Sequence, residues 1–174
     1  MVFDSNSKKS VLFGGDSSKD TWAWDGNEWQ KITDIGPLAR QKHDMCFNNL
    51  TNTILLFGGI DGGIVFTDTW EWDGLFWKQC NNFGLKPTIS HAMTFDGKNP
   101  VLFGGYHTQL GSLGETWQWN GKHWAQILDI GPSPRSAHSM CTDTDRKKIV
   151  LFGGSRSQNQ NDFQFNDTWE LSTA

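Results

Sequence analysis

The sequence predicts an all-β chain assembled from four copies of one small sheet unit, and three observations carry that reading. The first is Asp68-Thr69-Trp70-Glu71-Trp72-Asp73-Gly74, closed by Trp77. It returns as Asp20-Thr21-Trp22-Ala23-Trp24-Asp25-Gly26 with Trp29, as Glu115-Thr116-Trp117-Gln118-Trp119-Asn120-Gly121 with Trp124, and as the shorter Asp167-Thr168-Trp169-Glu170-Leu171. The second is an apolar run that ends in two glycines: Val11-Leu12-Phe13-Gly14-Gly15, Leu55-Leu56-Phe57-Gly58-Gly59, Val101-Leu102-Phe103-Gly104-Gly105 and Val150-Leu151-Phe152-Gly153-Gly154. The third is the absence of any stretch with helical periodicity.

Each unit divides into four pieces. A short segment opens it: Met1-Val2-Phe3-Asp4, then His43-Asp44-Met45-Cys46, His91-Ala92-Met93-Thr94 and His138-Ser139-Met140-Cys141. Polar turns such as Gly97-Lys98-Asn99 follow, which is hairpin punctuation. The glycine-bounded apolar run comes next and has the length and composition of a buried strand, with glycines where a side chain would not fit. Trp-x-Trp comes third, and residues two apart share one face of a strand. Asp-Gly or Asn-Gly then turns the chain tightly into a returning strand that carries Trp29, Trp77 or Trp124. The repeats run over about 1–36, 37–84, 85–131 and 132–174 of a single domain. All ten tryptophans fall inside them, so their job is structural.

Spacing locates the variable part of the unit. Between the second glycine and the first tryptophan lie 6, 10, 11 and 14 residues in successive copies, while the distance from that tryptophan to the next glycine pair is nearly fixed. A rigid scaffold with one elastic loop varies its surface on one side.

The glycine pair, the aromatic third strand, the tryptophan of the last strand and Pro134-Arg135-x-x-His138 together resemble the kelch repeat. The resemblance spans essentially the whole chain. It is nearest to bacterial kelch and to the repeats of the galactose-oxidase central domain, although Trp stands where the kelch strand usually has Tyr. It implies a kelch-type β-propeller with four blades per chain, the last lacking its outer strand. An open row of four would expose two apolar faces. Completion as an eight-blade ring by a homodimer is expected; a closed four-blade ring or a piece of a larger propeller are the alternatives.

Composition narrows the partners. Fifteen Lys and Arg against nineteen Asp and Glu give a net charge of −4 with no basic block, so nucleic acid is not expected. No run of 18 apolar residues is present, so no membrane span is expected. Three cysteines and an N-terminus without an apolar leader segment lead to an expectation of the cytoplasm, with secretion the alternative if the chain is a piece of a longer one. Cys46 and Cys141 occupy one repeat position and are expected to be small core residues.

No cofactor or metal is expected. His43, His91 and His138 recur in register, but equivalent positions of neighbouring sheets do not converge on one ion. The copper chemistry of galactose oxidase needs tyrosines, and this chain has only Tyr106. The kelch resemblance instead places ligands at one mouth of the channel, where the loop after the second strand and the link to the next unit meet. The candidate ligand-binding residues are therefore Arg40, Lys42, Asp61, Tyr106, His107, Arg135 and Arg156. Arginines there would hold carboxylates or phosphates; equally, Arg40 and Arg135 would tie down loop carbonyls. The expected function is a non-enzymatic binding module for a protein, an acidic peptide or a glycan. A mutarotase-like sugar enzyme using His107, Arg135 or Tyr106, and a purely structural self-assembling propeller, are the alternatives.

Overall fold

The computed structural model describes residues 1–81, 84–86, 88–128, 131–158 and 161–172, and among these every regular element is a strand. Blade 1 is β1 (Val2–Asp4), β2 (Lys9–Phe13), β3 (Thr21–Trp24) and β4 (Trp29–Thr33), paired in that order. Blade 2 opens with β5 (Asp44–Asn48) and β6 (Thr53–Phe57). A loop hairpin, β7 (Ile60–Asp61) and β8 (Ile64–Val65), precedes β9 (Thr69–Trp72) and β10 (Trp77–Asn81). Blade 3 repeats this with β11 (Ala92–Phe95), β12 (Pro100–Phe103), the hairpin β13 (Tyr106–His107) and β14 (Gly111–Ser112), then β15 (Thr116–Trp119) and β16 (Trp124–Leu128). Blade 4 has β17 (Ser139–Asp143), β18 (Lys148–Phe152), the hairpin β19 (Ser155–Gln158) and β20 (Asn161–Gln164), and β21 (Thr168–Ser172). Its main sheet has three strands, β17-β18-β21.

The turns follow from single side chains. Asp25 Oδ1 accepts the N–H groups of Asn27 and Glu28 at 2.8 and 3.0 Å, Asp73 those of Leu75 and Phe76, and Asn120 those of Lys122 and His123. Each is an Asx turn that replaces the backbone bonds the strands give up. Asp4, Asn48 and Asp96 close the first hairpin of their units in the same way.

The glycine pair is the joint between blades. Gly58 sits at φ 66°, and a Cβ on it would lie 2.8 Å from the Thr88 carbonyl oxygen of the following link. Gly14 and Gly104 meet the carbonyls of Arg40 and Arg135 at 2.7 and 2.6 Å in the same way. The second glycine then donates its N–H to that carbonyl, Gly15 to Arg40 at 2.8 Å and Gly105 to Arg135 at 2.9 Å. Only a residue without a side chain lets two backbones come this close.

Tryptophan completes the joint. Trp77 of blade 2 packs edge-on against Phe13 of blade 1, with ring centroids 5.2 Å apart, and donates its indole N–H to Thr21 Oγ1 at 2.8 Å. Trp124 of blade 3 repeats this on Phe57 and Thr69 of blade 2, at 5.6 and 3.0 Å. The two cores therefore lie between blades and draw residues from both. The inner strands β1, β5, β11 and β17 pack in that order and line a concave cavity of about 830 Å³.

The end blades depart from the sequence expectation. Trp29 is 43 % exposed and Trp169 41 %, whereas Trp77 and Trp124 are buried. Cys141 is exposed while Cys46 is buried, so the expectation of two equivalent core cysteines holds only for Cys46. Trp29 and Cys141 lie on the outer faces of blades 1 and 4, which no neighbouring blade covers, whereas Trp169, the counterpart of Trp70 and Trp117, lines the cleft between blades 3 and 4, where blade 4 has no fourth strand among the described residues. Blade 4 does not cover Trp29 as a closed four-blade ring of this repeat would require.

Candidate functional site

The mouth is built from loop hairpins and links. Each link pairs with the hairpin of its own blade through a two-residue bridge: Gln41 with Ile60, Ile89 with Tyr106, Ser136 with Ser155. Successive links are also joined. The Ser90 N–H donates to Lys42 O at 2.9 Å and the Ala137 N–H to Ser90 O at 2.8 Å. Lys42, Ser90 and Ala137 all sit at φ near +55°, with 58°, 54° and 55°. This left-handed step swings each chain from link into inner strand and keeps the links parallel around the axis.

Arg40 and Arg135 lie under this rim. Both are fully buried. Arg40 Nη1 and Nη2 grip Asp68 at 2.6 and 2.9 Å, Nη1 also donates to Gly58 O, Nε donates to Leu38 O, and Phe66 lies over the guanidinium at 4.1 Å. Arg135 copies every contact with Asp167, Gly153 O, Ser133 O and Phe165. These donors are committed inside the fold, so the geometry is that of an anchor that fastens hairpin and link to the third strand, not of an anion receptor. Blade 3 replaces the pair with Thr88 and a half-exposed Lys86–Glu115 bridge of 2.8 Å. The carboxylates respond accordingly. Arg135 and then Trp169 hold Asp167 far below the usual carboxylate range. Burial pushes Asp68 up, but hydrogen bonds from Arg40 and Trp70 outweigh it and leave the group lowered.

The remaining candidates stand at the rim. Lys42 is exposed, and Asp61, Tyr106, His107 and Arg156 are half-exposed. Asp61 accepts the Ser17 hydroxyl at 2.9 Å, which ties the blade 1 loop to the blade 2 hairpin. His107 Nδ1 accepts the N–H groups of Gln109 and Leu110 and so holds its own hairpin turn. β14 packs beside β19, with the Ser157 N–H donating to Ser112 Oγ at 3.4 Å. Tyr106, His107 and Arg156 therefore belong to one continuous two-hairpin surface, while Asp61 borders it from blade 2.

Below the rim the three histidines begin the inner strands. Each ring packs on the phenylalanine of the preceding blade: His43 on Phe13, His91 on Phe57, His138 on Phe103, at 5.4–5.6 Å. Burial pushes the His91 imidazole down to about 3 and those of His43 and His138 to about 4. Neither nitrogen of His91 or His138 has a hydrogen-bond partner. Neutral imidazoles here act as flat packing surfaces, and no group of three potential metal ligands occurs among the described residues.

The loop hairpins were not anticipated from the sequence; Gly62-Gly63 was the available signal in blade 2. The carboxylate partners of the arginines were also missed, although Asp68 and Asp167 open the very segments that define the repeat.

The KLHDC2/KLHL20/DRC7 Kelch-repeats domain matches residues 1–174, the whole chain. No curated protein matches it.

Proposed function

The chain belongs to the kelch-repeat family, and from that premise we propose that it binds a protein segment across the hairpin rim at one mouth of the propeller. Kelch propeller domains are generally protein-interaction modules. The observation that supports this surface is the backbone stitching. Every hairpin is fastened to its link by a bridge, and the links to one another, so the exposed side chains are held on a preorganised frame. A protein segment is favoured over an acidic peptide or an anionic glycan because both buried guanidinium groups are already filled by carboxylates.

The test is selection of binders from a random 12-residue peptide display library against the whole chain, followed by measurement on an Asp61→Lys, Arg156→Glu double variant. Selected peptides are expected to lose about tenfold or more in affinity. Peptides that bind the folded double variant as well as the parent would remove the rim as the site.

Self-association is a second reading, favoured by matching exposed groups. Phe152 is 57 % exposed and Thr168 is also exposed, and they occupy the positions of Phe13 and Thr21 that receive Trp77. Trp29 is the counterpart of Trp77 and is 43 % exposed. Trp29 of one copy on Phe152 and Thr168 of another continues the internal blade joint and yields a homodimer of eight blades. Light scattering then gives twice 19.7 kDa. A monomeric mass at 50 µM, or a dimer indifferent to Trp29→Glu, removes this reading.

A further inference from the structure

We propose that the protein segment bound across the hairpin rim is amphiphilic and polarised. Its apolar side chains rest on Ile64, Leu110 and Phe163, a basic residue meets Asp61 at the blade 2 end, and an acidic residue meets Arg156 at the blade 4 end. This inference rests on the rim as the binding surface and adds the chemistry of what binds there.

The apolar half comes from a repeat of position. Each loop hairpin exposes one large apolar side chain: Ile64 at 66 %, Leu110 at 61 % and Phe163 at 53 %. Ile64 stands opposite Asp61 in the β7–β8 pairing, and Phe163 stands opposite Arg156 in β19–β20. Directly opposed residues of an antiparallel pair share a face. Leu110 lies in the β13–β14 turn and donates its N–H to His107 Nδ1 at 3.2 Å. Asp61, His107 and Arg156 are themselves equivalent, each one residue past the bridge that fastens its hairpin to the link, at Ile60, Tyr106 and Ser155. Every hairpin thus offers one apolar and one polar group side by side. Apolar groups that recur at one position of one rim mark an interaction surface, where single scattered ones do not.

This exposure does not come from a missing neighbour. Blades 2 and 3 each have a blade on either side, and Ile64 and Leu110 are nevertheless more exposed than Phe163. By the same geometry a further blade beside blade 4 would leave Phe163 open.

The charged half comes from a difference along the row. The equivalent polar positions are acidic in blade 2 and basic in blade 4, with His107 between them holding its own turn. Among the described residues neither Asp61 nor Arg156 forms an ion pair. Lys42 stands in the link, outside the hairpin row. A segment that brings the opposite sign to each end gains at both, whereas one of uniform charge gains at one end and is repelled at the other.

The probe is the tightest binder that a random 12-residue display library yields against the whole chain, made as a fluorescein-labelled peptide and titrated by anisotropy. It is expected to carry at least two large apolar residues, a basic residue towards one end and an acidic residue towards the other. Leu110→Ser and Phe163→Ser proteins lose only exposed side chains, so they are expected to melt with the parent and to bind about tenfold more weakly each. Phe76→Ser, which removes an exposed ring from the β9–β10 turn at the other end of blade 2, is expected to bind unchanged. Arg156→Glu is expected to weaken binding about tenfold, and exchanging the peptide's acidic residue for Lys is expected to restore it. No saturable binder, or a loss on Arg156→Glu that the exchange does not recover, overturns the proposal. A peptide lost on Asp61→Lys, Arg156→Glu but indifferent to both serine variants keeps the rim and overturns this chemistry. A peptide indifferent to all of them removes the rim as well.

Discussion

Acidification is expected to loosen the protein through its three inner-strand histidines. Each imidazole is packed on a phenylalanine, and burial lowers its proton affinity, to about 3 for His91 and about 4 for His43 and His138. The unfolded chain titrates near 6.5. Above that value both states are neutral and pH has no effect through these groups. Below it the unfolded chain binds protons that the fold refuses, so stability falls until the folded-state values are reached. The slope is about 1.4 kcal/mol per pH unit per histidine. From pH 6.5 to pH 5 that amounts to about 2 kcal/mol each, or about 6 kcal/mol for three, against a typical total of about 5–15 kcal/mol. Asp44 acts in the opposite direction, because its burial raises its carboxyl and favours the protonated form in the fold. Urea unfolding at pH 7 and pH 5 measures the difference. His91→Phe keeps a flat ring on Phe57 without a titrating nitrogen, so its stability is expected to fall by about 2 kcal/mol less between the two pH values. Equal pH dependence in parent and variant would refute the reasoning, because it would mean that water reaches the ring.

Other perturbations read other joints. Arg40→Ala leaves the Asp68 carboxylate with the Trp70 indole but without its paired guanidinium, and takes a donor from the Gly58 carbonyl; it is expected to cost about 3 kcal/mol in urea unfolding, with Arg40→Lys recovering only part of it. Thr69→Val deprives the buried Trp124 N–H of its acceptor and should cost about 1–3 kcal/mol. Gly58→Ala and Gly74→Ala both force a side chain into positive φ at about 1–2 kcal/mol. Only Gly58 also meets a carbonyl, at 2.8 Å, whereas Gly74 meets nothing within 4 Å, so thermal unfolding is expected to fall further for Gly58→Ala.

Much of the blade was legible because its determinants are local. Asp25-Gly26 and Asn120-Gly121 set their turns with their own side chains, and Trp-x-Trp alternation fixed which residues share a face. The glycine pairs were recognised as places of close approach, but what approaches them was not. The carbonyl that meets Gly58 belongs to Thr88, thirty residues on, and nothing near Gly58 names it. The same distance hid the role of the arginines. Arg40 and Asp68 are 28 residues apart, and only folding shows that the guanidinium is filled before any ligand arrives. Trp29, Trp77 and Trp124 look alike in the sequence, yet the first is exposed and the other two are buried.

By itself, the amino-acid sequence determined the strands, their order within a blade, the hairpin turns and the number of repeats, since these depend on residues that are neighbours along the chain. The tertiary structure alone decided which copies bury their tryptophan, which arginine remains available and where a cleft stays open. Those outcomes depend on which blade, fourth strand or carboxylate stands beside each face, and a repeat carries the same letters whether or not it has that neighbour.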